Sequence, residues 1–101
     1  MDVRYLQEEF SRVFEEIPKK TNMTPQSKEL LFIHLTEEVG ELARQIVNEE
    51  HRKEKFDKVN LSEEFGDVFM ILCVLASKYD LDLSKECEEK LVRIRKKFNL
   101  D

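Results

Sequence analysis

The chain has 101 residues, the length of one domain, and we treat residues 1–101 as a single unit. Charged residues make up 39% and apolar residues 41%, so a core requires that the apolar residues concentrate on particular faces. Two glycines and two prolines exclude collagen-like and low-complexity chains. They also argue against an all-β fold, because its many turns use these residues.

Cysteine content and hydropathy indicate where the protein works. Cys73 and Cys87 are too few for a secreted disulfide scaffold and are not spaced as zinc ligands, so we expect a reducing cytoplasm. The longest apolar run, residues 68–76, has nine residues, whereas a membrane span needs about 20. With no basic and apolar leader in the sequence, we expect neither export nor membrane association.

The net charge of −5 is concentrated in two hexapeptides, Glu37–Leu42 and Glu63–Val68, which hold six of the 22 acidic residues. Without those six, the balance of the chain is +1. Such local acidity attracts cations, so a nucleic-acid backbone is not an expected partner.

The first half of the chain shows helical periodicity. Residues 2–17 carry apolar side chains every three or four positions, and Pro18 is predicted to end this helix. Residues 19–25 form a predicted loop, and a second helix is expected from Gln26 to about Asn48. Residues 49–58 are almost all charged, which is typical of a solvated helix extension or loop.

The second half predicts two more helices. Asn60 is the predicted N-cap of the third, with Glu63 completing a capping box, and this helix extends to about Lys78. A turn follows over residues 80–84. The apolar face predicted for the fourth helix comprises Leu83, Cys87, Leu91, Ile94 and Phe98.

Four helices with short connections predict an all-α fold, a four-helix bundle. Residues 68–76 are apolar on every side of the third helix, so we expect it to be the most buried element. Three small neighbours hardly cover it, which favours a dimer or larger assembly. Cys73 and Cys87 occupy apolar positions and are predicted to be buried free thiols.

The two acidic hexapeptides each place carboxylates on one helical face. Glu38 and Glu41 are three residues apart, as are Glu64 and Asp67, so each pair projects from one side. Like charges at this spacing weaken an isolated helix by roughly 0.2–0.5 kcal/mol per pair. A bound cation would offset that cost.

A single Glu-x-x-Glu is most often a solvated face, but here the pattern occurs twice, 26 residues apart. The two glycines, Gly40 and Gly66, occupy equivalent places in both copies. A glycine inside a helix costs about 1 kcal/mol relative to alanine, so this placement suggests close approach of a helix or ligand. Facing antiparallel helices would form a site of four carboxylates.

All-oxygen anionic ligands suit Mg²⁺ or Mn²⁺. Di-iron bundles use Glu-x-x-His, and neither acidic pair contains histidine. Mg²⁺ normally shares its coordination with substrate phosphates. The pattern therefore favours attack of water on a phosphoanhydride.

These motifs resemble the MazG-type all-α nucleoside triphosphate pyrophosphohydrolases. The resemblance covers residues 27–98 and rests on the segments Leu35–Leu42, Glu63–Val68 and Leu81–Leu83, which match Glu-x-x-Glu, Glu-x-x-Asp and the turn into the last helix. It implies Mg²⁺-dependent hydrolysis of a nucleoside triphosphate to monophosphate and pyrophosphate, in a homodimer or homotetramer. The family's metal-binding positions fall on Glu38, Glu41, Glu64 and Asp67.

The chain departs from the family pattern at two places. The last helix carries Arg93-Ile94-Arg95-Lys96-Lys97 without the asparagine that family members often use for sugar contacts. Arg93 and Lys97 are the expected phosphate-binding residues. Phe69 and Met70 replace the histidine typical of the branch that acts on phosphoribosyl-ATP, so that branch ranks lower.

Two further residues are candidates beside the acids. His34 lies four residues before Glu38 and either contacts a phosphate or base or is a partly exposed helix histidine. Glu37 is either an outer-shell ligand that orients the attacking water or a solvated side chain.

Three functions compete. The first is a nucleoside triphosphate pyrophosphatase that clears surplus or damaged nucleotides. The alternative is a non-catalytic helical dimerisation or interaction module with acidic surface clusters. A metal buffer is weaker, because no segment resembles a calcium loop.

Overall fold

The computed structural model describes all 101 residues and contains four α-helices and no strand. The all-α class is therefore confirmed. The helices are α1 (Val3–Lys20), α2 (Lys28–His51), α3 (Lys58–Lys78) and α4 (Leu83–Lys97), and a single 3-10 turn (Lys53–Lys55) lies between α2 and α3. None of the helices is both long and apolar enough to cross a membrane.

Each α-helix begins at a residue whose side chain caps the first turn. Asp2, Ser27, Asp57 and Asp82 each accept at least one hydrogen bond from a backbone N–H two or three residues later. These bonds satisfy donors that the first turn of a helix otherwise leaves unpaired. The starting points of the helices are thus set by local polar chemistry.

The predicted end of α1 at Pro18 is wrong, because the helix continues through the proline to Lys20. A proline in the last turn removes only one intrahelical hydrogen bond. The Thr21 hydroxyl donates to the carbonyl of Ile17 at 2.7 Å, which satisfies one terminal acceptor. The loop before α2 covers residues 21–27, so it lies two residues later than predicted and has the same length.

The predicted capping box of α3 is also wrong. Asp57 is the N-cap, and its Oδ1 accepts from the backbone N–H groups of Val59 and Asn60. Asn60 therefore lies within the helix, and Glu63 is an exposed side chain on its surface. Because aspartate caps a helix as well as asparagine does, the capping residue was not distinguishable from composition alone.

The core is small and centred on α3. Leu31 of α2 packs with Ile71 and Val74 of α3 in a fully enclosed cluster, against which Phe10 and Phe14 of α1 pack. Five of the nine buried residues belong to α3, so the prediction that this helix is the most buried is confirmed.

A buried glutamine joins α1 to the turn between α3 and α4. The side-chain amide of Gln7 donates to the Leu81 carbonyl at 2.7 Å and to the Ser77 hydroxyl at 3.1 Å. Its Oε1 accepts from the backbone N–H of Leu83 at 2.9 Å. These bonds fix where α4 leaves the rest of the chain.

Beyond its first turn, α4 is exposed along its whole length and contains no buried residue. It packs against α1 rather than along α2 or α3. Cys87 is exposed, so its prediction as a buried thiol is wrong, whereas Cys73 is fully buried as predicted. Beyond the first turn, the apolar side chains of α4, among them Leu91 and Ile94, are exposed in a single chain.

Candidate metal centre

The candidate site lies where α2 and α3 run side by side. Glu38 of α2 faces Glu64 and Asp67 of α3, and one carboxylate oxygen from each lies within 4.8 Å of the others. The three-residue spacing of Glu64 and Asp67 directs both toward α2, as side chains one turn apart on a helix do. Two of the predicted acidic residues on α3 and one on α2 are thus brought together.

Glu64 is the buried member of the cluster. Its side chain is 8% exposed, and its Oε2 is buried without a hydrogen-bond partner. Burial is the largest of the causes that together raise its pKa from 4.5 to about 7, and the neighbouring carboxylates of Glu38, Asp67 and Glu41 supply the rest. An ionised Glu64 therefore requires a positive partner.

Glu41 lies at the edge of this arrangement. It is exposed and is not among the three acids whose oxygens converge. Its charge nevertheless contributes to the raised pKa of Glu64, so it belongs to the same electrostatic environment. The four predicted ligands are thus a converging set of three with a fourth carboxylate nearby.

The donor set fits a hard divalent cation. Three carboxylates offer only anionic oxygens, which Mg²⁺ and Mn²⁺ prefer and which soft metals do not. The unpartnered Oε2 of Glu64 is a buried acceptor of the kind that a cation satisfies. Three protein ligands would leave coordination positions for water and for phosphate oxygens, as is usual for Mg²⁺.

The two glycines beside the acids do not mediate a close approach within the chain, so that expectation is wrong for one protomer. Gly40 and Gly66 are both exposed, and no atom lies within 4 Å of the place where a Cβ would sit. Open space therefore flanks the acidic cluster on both helices.

The two secondary candidates on α2 lie at different depths. His34 is half-buried, one helical turn before Glu38, and Glu37 is exposed. The contact predicted for His34 and the outer role predicted for Glu37 stay predictions.

The predicted phosphate-binding residues lie apart from the acids. Arg93 and Lys97 are exposed on α4, which packs against α1. The Lys97 ammonium lies 5.5 Å from the centroid of the Phe98 ring. A single protomer does not bring these two cations to the cluster, and their role stays a prediction.

Sequence reasoning missed the structural role of one residue near the site. Gln45 is buried, and its Oε1 accepts from the backbone N–H of Asp57 at 3.0 Å. It lies four residues after Glu41, on the same stripe of α2 as the acids. A polar residue on a stripe that faces another helix is a signal that could have identified it.

The structure is thus that of an all-α protein in which α2 and α3 form an acidic cluster with the donor atoms of a metal site. Residues 26–99 match the family model described as MazG nucleotide pyrophosphohydrolase domain. The chain therefore belongs to this family.

The chain is also similar to a bacterial protein. The uncharacterized protein YpjD of Bacillus subtilis (strain 168) is 39% identical over 72 residues, which are 68% of this chain and 61% of that protein. The chain thus matches less than two thirds of the relative's length. No solved structure matches the chain at a significant level.

Proposed function

We propose that the protein is a Mg²⁺-dependent pyrophosphohydrolase that converts a nucleoside or deoxynucleoside triphosphate to the monophosphate and pyrophosphate, and clears unwanted nucleotides in the cytoplasm. The observation that carries this proposal is the convergence of Glu38, Glu64 and Asp67 with a buried, unpartnered carboxylate oxygen. Membership of a family described as nucleotide pyrophosphohydrolases supports the reaction.

In this proposal Glu38, Glu64 and Asp67 hold Mg²⁺, with Mn²⁺ as a substitute, and Glu41 completes the ligand set from its edge position. The bound cation supplies neutralisation of the phosphate charge and lowers the pKa of a bound water. The carboxylates fix where the phosphates lie, because phosphoryl transfer depends chiefly on positioning and on charge stabilisation.

The reaction consumes one water. Its oxygen bonds to the α-phosphorus, the bond from that phosphorus to the α,β-bridging oxygen breaks, and pyrophosphate leaves with the bridging oxygen. The proton of the attacking water passes to a nearby carboxylate and then to solvent. Glu37, at the rim of the cluster, is the proposed outer residue that orients this water.

Substrate contacts are proposed for His34 on α2 and for Arg93 and Lys97 on α4. His34 lies one turn from Glu38, within the neighbourhood of a bound triphosphate. Guanidinium and ammonium groups suit phosphate oxygens. We expect alanine at Arg93 or Lys97 to raise the KM more than it lowers kcat.

A homodimer or homotetramer is part of the proposal. Large apolar side chains are exposed on all four helices, among them Phe32 on α2, Phe65 on α3 and Val92 on α4, which are 60%, 58% and 64% exposed. Burial of such side chains between copies would remove their apolar area from water. In such an assembly, the packing between copies decides which α4 lies beside each acidic cluster.

The test is pyrophosphate release from a panel of ribo- and deoxyribonucleoside triphosphates with Mg²⁺. We expect turnover of at least one substrate, with Asp67→Asn reducing kcat/KM by more than about 100-fold, since even a misplacement of about 1 Å costs that much. Glu63→Gln is the matched control, because Glu63 is an exposed neighbour outside the cluster. If Glu63→Gln is inactive while Asp67→Asn turns over, the ligand assignment is wrong.

The exposed apolar residues of α4 also favour the second candidate, a non-catalytic helical interaction module. Sedimentation at micromolar concentration, together with the same substrate panel, separates the two. A stable dimer that releases no pyrophosphate from any nucleotide would favour the module. A monomer would contradict the proposed assembly.

A further inference from the structure

The connection between α2 and α3 is closed by a buried side-chain amide. Gln45 is 7% exposed, and its Oε1 accepts the backbone N–H of Asp57 at 3.0 Å. Asp57 is itself the N-cap of α3, and its carboxylate accepts the N–H groups of Val59 and Asn60. One hydrogen bond therefore ties the interior of α2 to the residue at which α3 begins.

Glu38 and Glu64 face each other in the same way, two helical turns away from this contact. Glu38 precedes Gln45 by seven residues on α2, and Glu64 follows Asp57 by seven residues on α3. Seven residues are close to two turns, with a rise of about 10.5 Å and an angular offset of only about 20°. Because the helices are antiparallel, a step of two turns back along α2 and two turns forward along α3 leads from the Gln45/Asp57 contact to the Glu38/Glu64 contact.

A third contact extends the same register. Seven residues before Glu38 lies Leu31, and seven residues after Glu64 lies Ile71, both members of the buried apolar cluster. The acidic site therefore lies between an apolar contact on one side and the amide contact on the other. All three contacts obey one alignment of α2 against α3.

The two flanking contacts oppose the same repulsion by different interactions. Carboxylates that converge within 4.8 Å repel one another and push the helices apart. On the apolar side, burial of Leu31 and Ile71 opposes this repulsion. Toward the connection, the buried residues of α2 are the polar Gln45 and Asn48, so the directional bond to Asp57 holds the helices together there.

We propose that Gln45 is a positioning residue for the metal centre. Its bond to Asp57 maintains the spacing and register at which the carboxylates of α2 and α3 converge on one cation. This inference rests on the metal site of the proposed function and assigns to that site a residue outside the acidic motifs.

The experiment measures Mn²⁺ affinity of the full chain by the electron paramagnetic resonance signal of free Mn²⁺, well below the melting temperature. Gln45→Met keeps the size of the side chain and removes the acceptor, and we expect the Kd to rise about tenfold, the lower end for residues that support metal ligands. Gln45→Glu keeps a carbonyl-type acceptor, and we expect wild-type affinity or tighter binding.

A second readout needs no metal. The amide proton of Asp57 is the donor of this bond, so its hydrogen exchange should accelerate in Gln45→Met and remain slow in Gln45→Glu. If Gln45→Met fails to fold, Gln45→Asn shortens the same amide by one methylene, and we expect the same loss of affinity.

Two control variants separate positioning from general stability. Ser62→Ala removes a hydrogen bond internal to α3, from the Ser62 hydroxyl to the Lys58 carbonyl. Val74→Ala destabilises the apolar end, where Val74 is fully buried. We expect both to bind Mn²⁺ as the wild type does, although Val74→Ala melts at a lower temperature.

Two results overturn the proposal: equal Mn²⁺ affinity of Gln45→Met and wild type, or an equal weakening by Val74→Ala. The wild-type measurement reports on the proposed function separately. If the wild type binds no Mn²⁺, the metal centre itself is wrong and the role of Gln45 falls with it. If the wild type binds Mn²⁺ and Gln45→Met binds it with the same Kd, only the proposed role of Gln45 is wrong.

Discussion

The two ends of the α2/α3 pair use one helical register for opposite purposes. At the end covered by α1, Leu31, Ile71 and Val74 form a closed apolar cluster. Toward the connection, the same faces carry Glu38, Glu64 and, two turns further on, the amide of Gln45. At one end, exclusion of water from apolar side chains stabilises the fold. At the other end, the repulsion between neighbouring carboxylates destabilises it.

This difference indicates how so short a chain combines stability with a charged site. Non-directional apolar burial holds the helices together where α1 covers them. At the end near the α2/α3 connection, the directional hydrogen bond between Asp57 and Gln45 holds them. The carboxylates between the two are held in position, with Glu64 buried and Glu38 and Asp67 partly exposed. Substitutions at the two ends should therefore have different effects.

The largest effect is expected at the apolar end. Leu31→Ala removes a side chain that is fully buried, and we expect the free energy of unfolding to fall by about 2–5 kcal/mol. Denaturant titration measures this change, with Leu31→Met as the volume-conserving control, which should cost less than about 1.5 kcal/mol. If Leu31→Ala also lowers the free energy of unfolding by less than about 1.5 kcal/mol, the apolar cluster is not the main source of stability.

The next effect concerns the pH dependence of the metal-free protein. Because burial and the neighbouring carboxylates together raise the pKa of Glu64 from 4.5 to about 7, the folded state binds a proton more tightly than the unfolded state does. This contribution to the free energy of unfolding is fully present below about pH 4.5 and is lost as the pH rises to about 7.

Glu64→Gln is the control for that pH profile, since a neutral amide of the same shape cannot titrate. The difference in stability between wild type and Glu64→Gln should change by up to about 3 kcal/mol across this range, at 1.36 kcal/mol for each pKa unit. Denaturant titrations at a series of pH values measure it. Parallel profiles for the two proteins would contradict the burial of a titrating carboxylate.

Divalent cations should stabilise the charged end. At a concentration 100 times the Kd, a ligand of the folded state adds about 2.7 kcal/mol, so we expect millimolar Mg²⁺ or Mn²⁺ to raise the Tm. The rise should be larger at pH 8 than at pH 6, because Glu64 must lose its proton to bind. Asp67→Asn should abolish the rise, and an unchanged wild-type Tm would count against the metal centre.

The smallest effect is expected at the glycines beside the acids. Gly66 is helical and exposed, and no atom lies within 4 Å of the position of a Cβ. Gly66→Ala should therefore raise the free energy of unfolding by about 0.5–1 kcal/mol, and Gly40→Ala should do the same. Thermal denaturation checks this, and a lower stability would reveal a second copy of the chain packed against that face.

Periodicity predicted the four helices well, because an amphipathic stripe is a local property of the sequence. It failed at boundaries. Pro18 lies inside α1, and Asp57 rather than Asn60 caps α3, since several nearby residues can satisfy the same backbone donors. The exposure of Cys87 was not predictable either, because an apolar stripe in the sequence does not show which element packs against it.

The sequence by itself determined the helices, the doubled acidic motif and the chemistry of its oxygen donors, because spacing along a helix fixes which side chains share a face. Only the tertiary structure decided that Glu64 is buried while Glu41 is exposed. It also decided that Gln45 accepts a hydrogen bond from Asp57, the N-cap of α3, and that α4 packs on α1 and not beside the acidic cluster. Each of these depends on how one helix lies against another, and that relation is set by the packing of residues far apart in the chain.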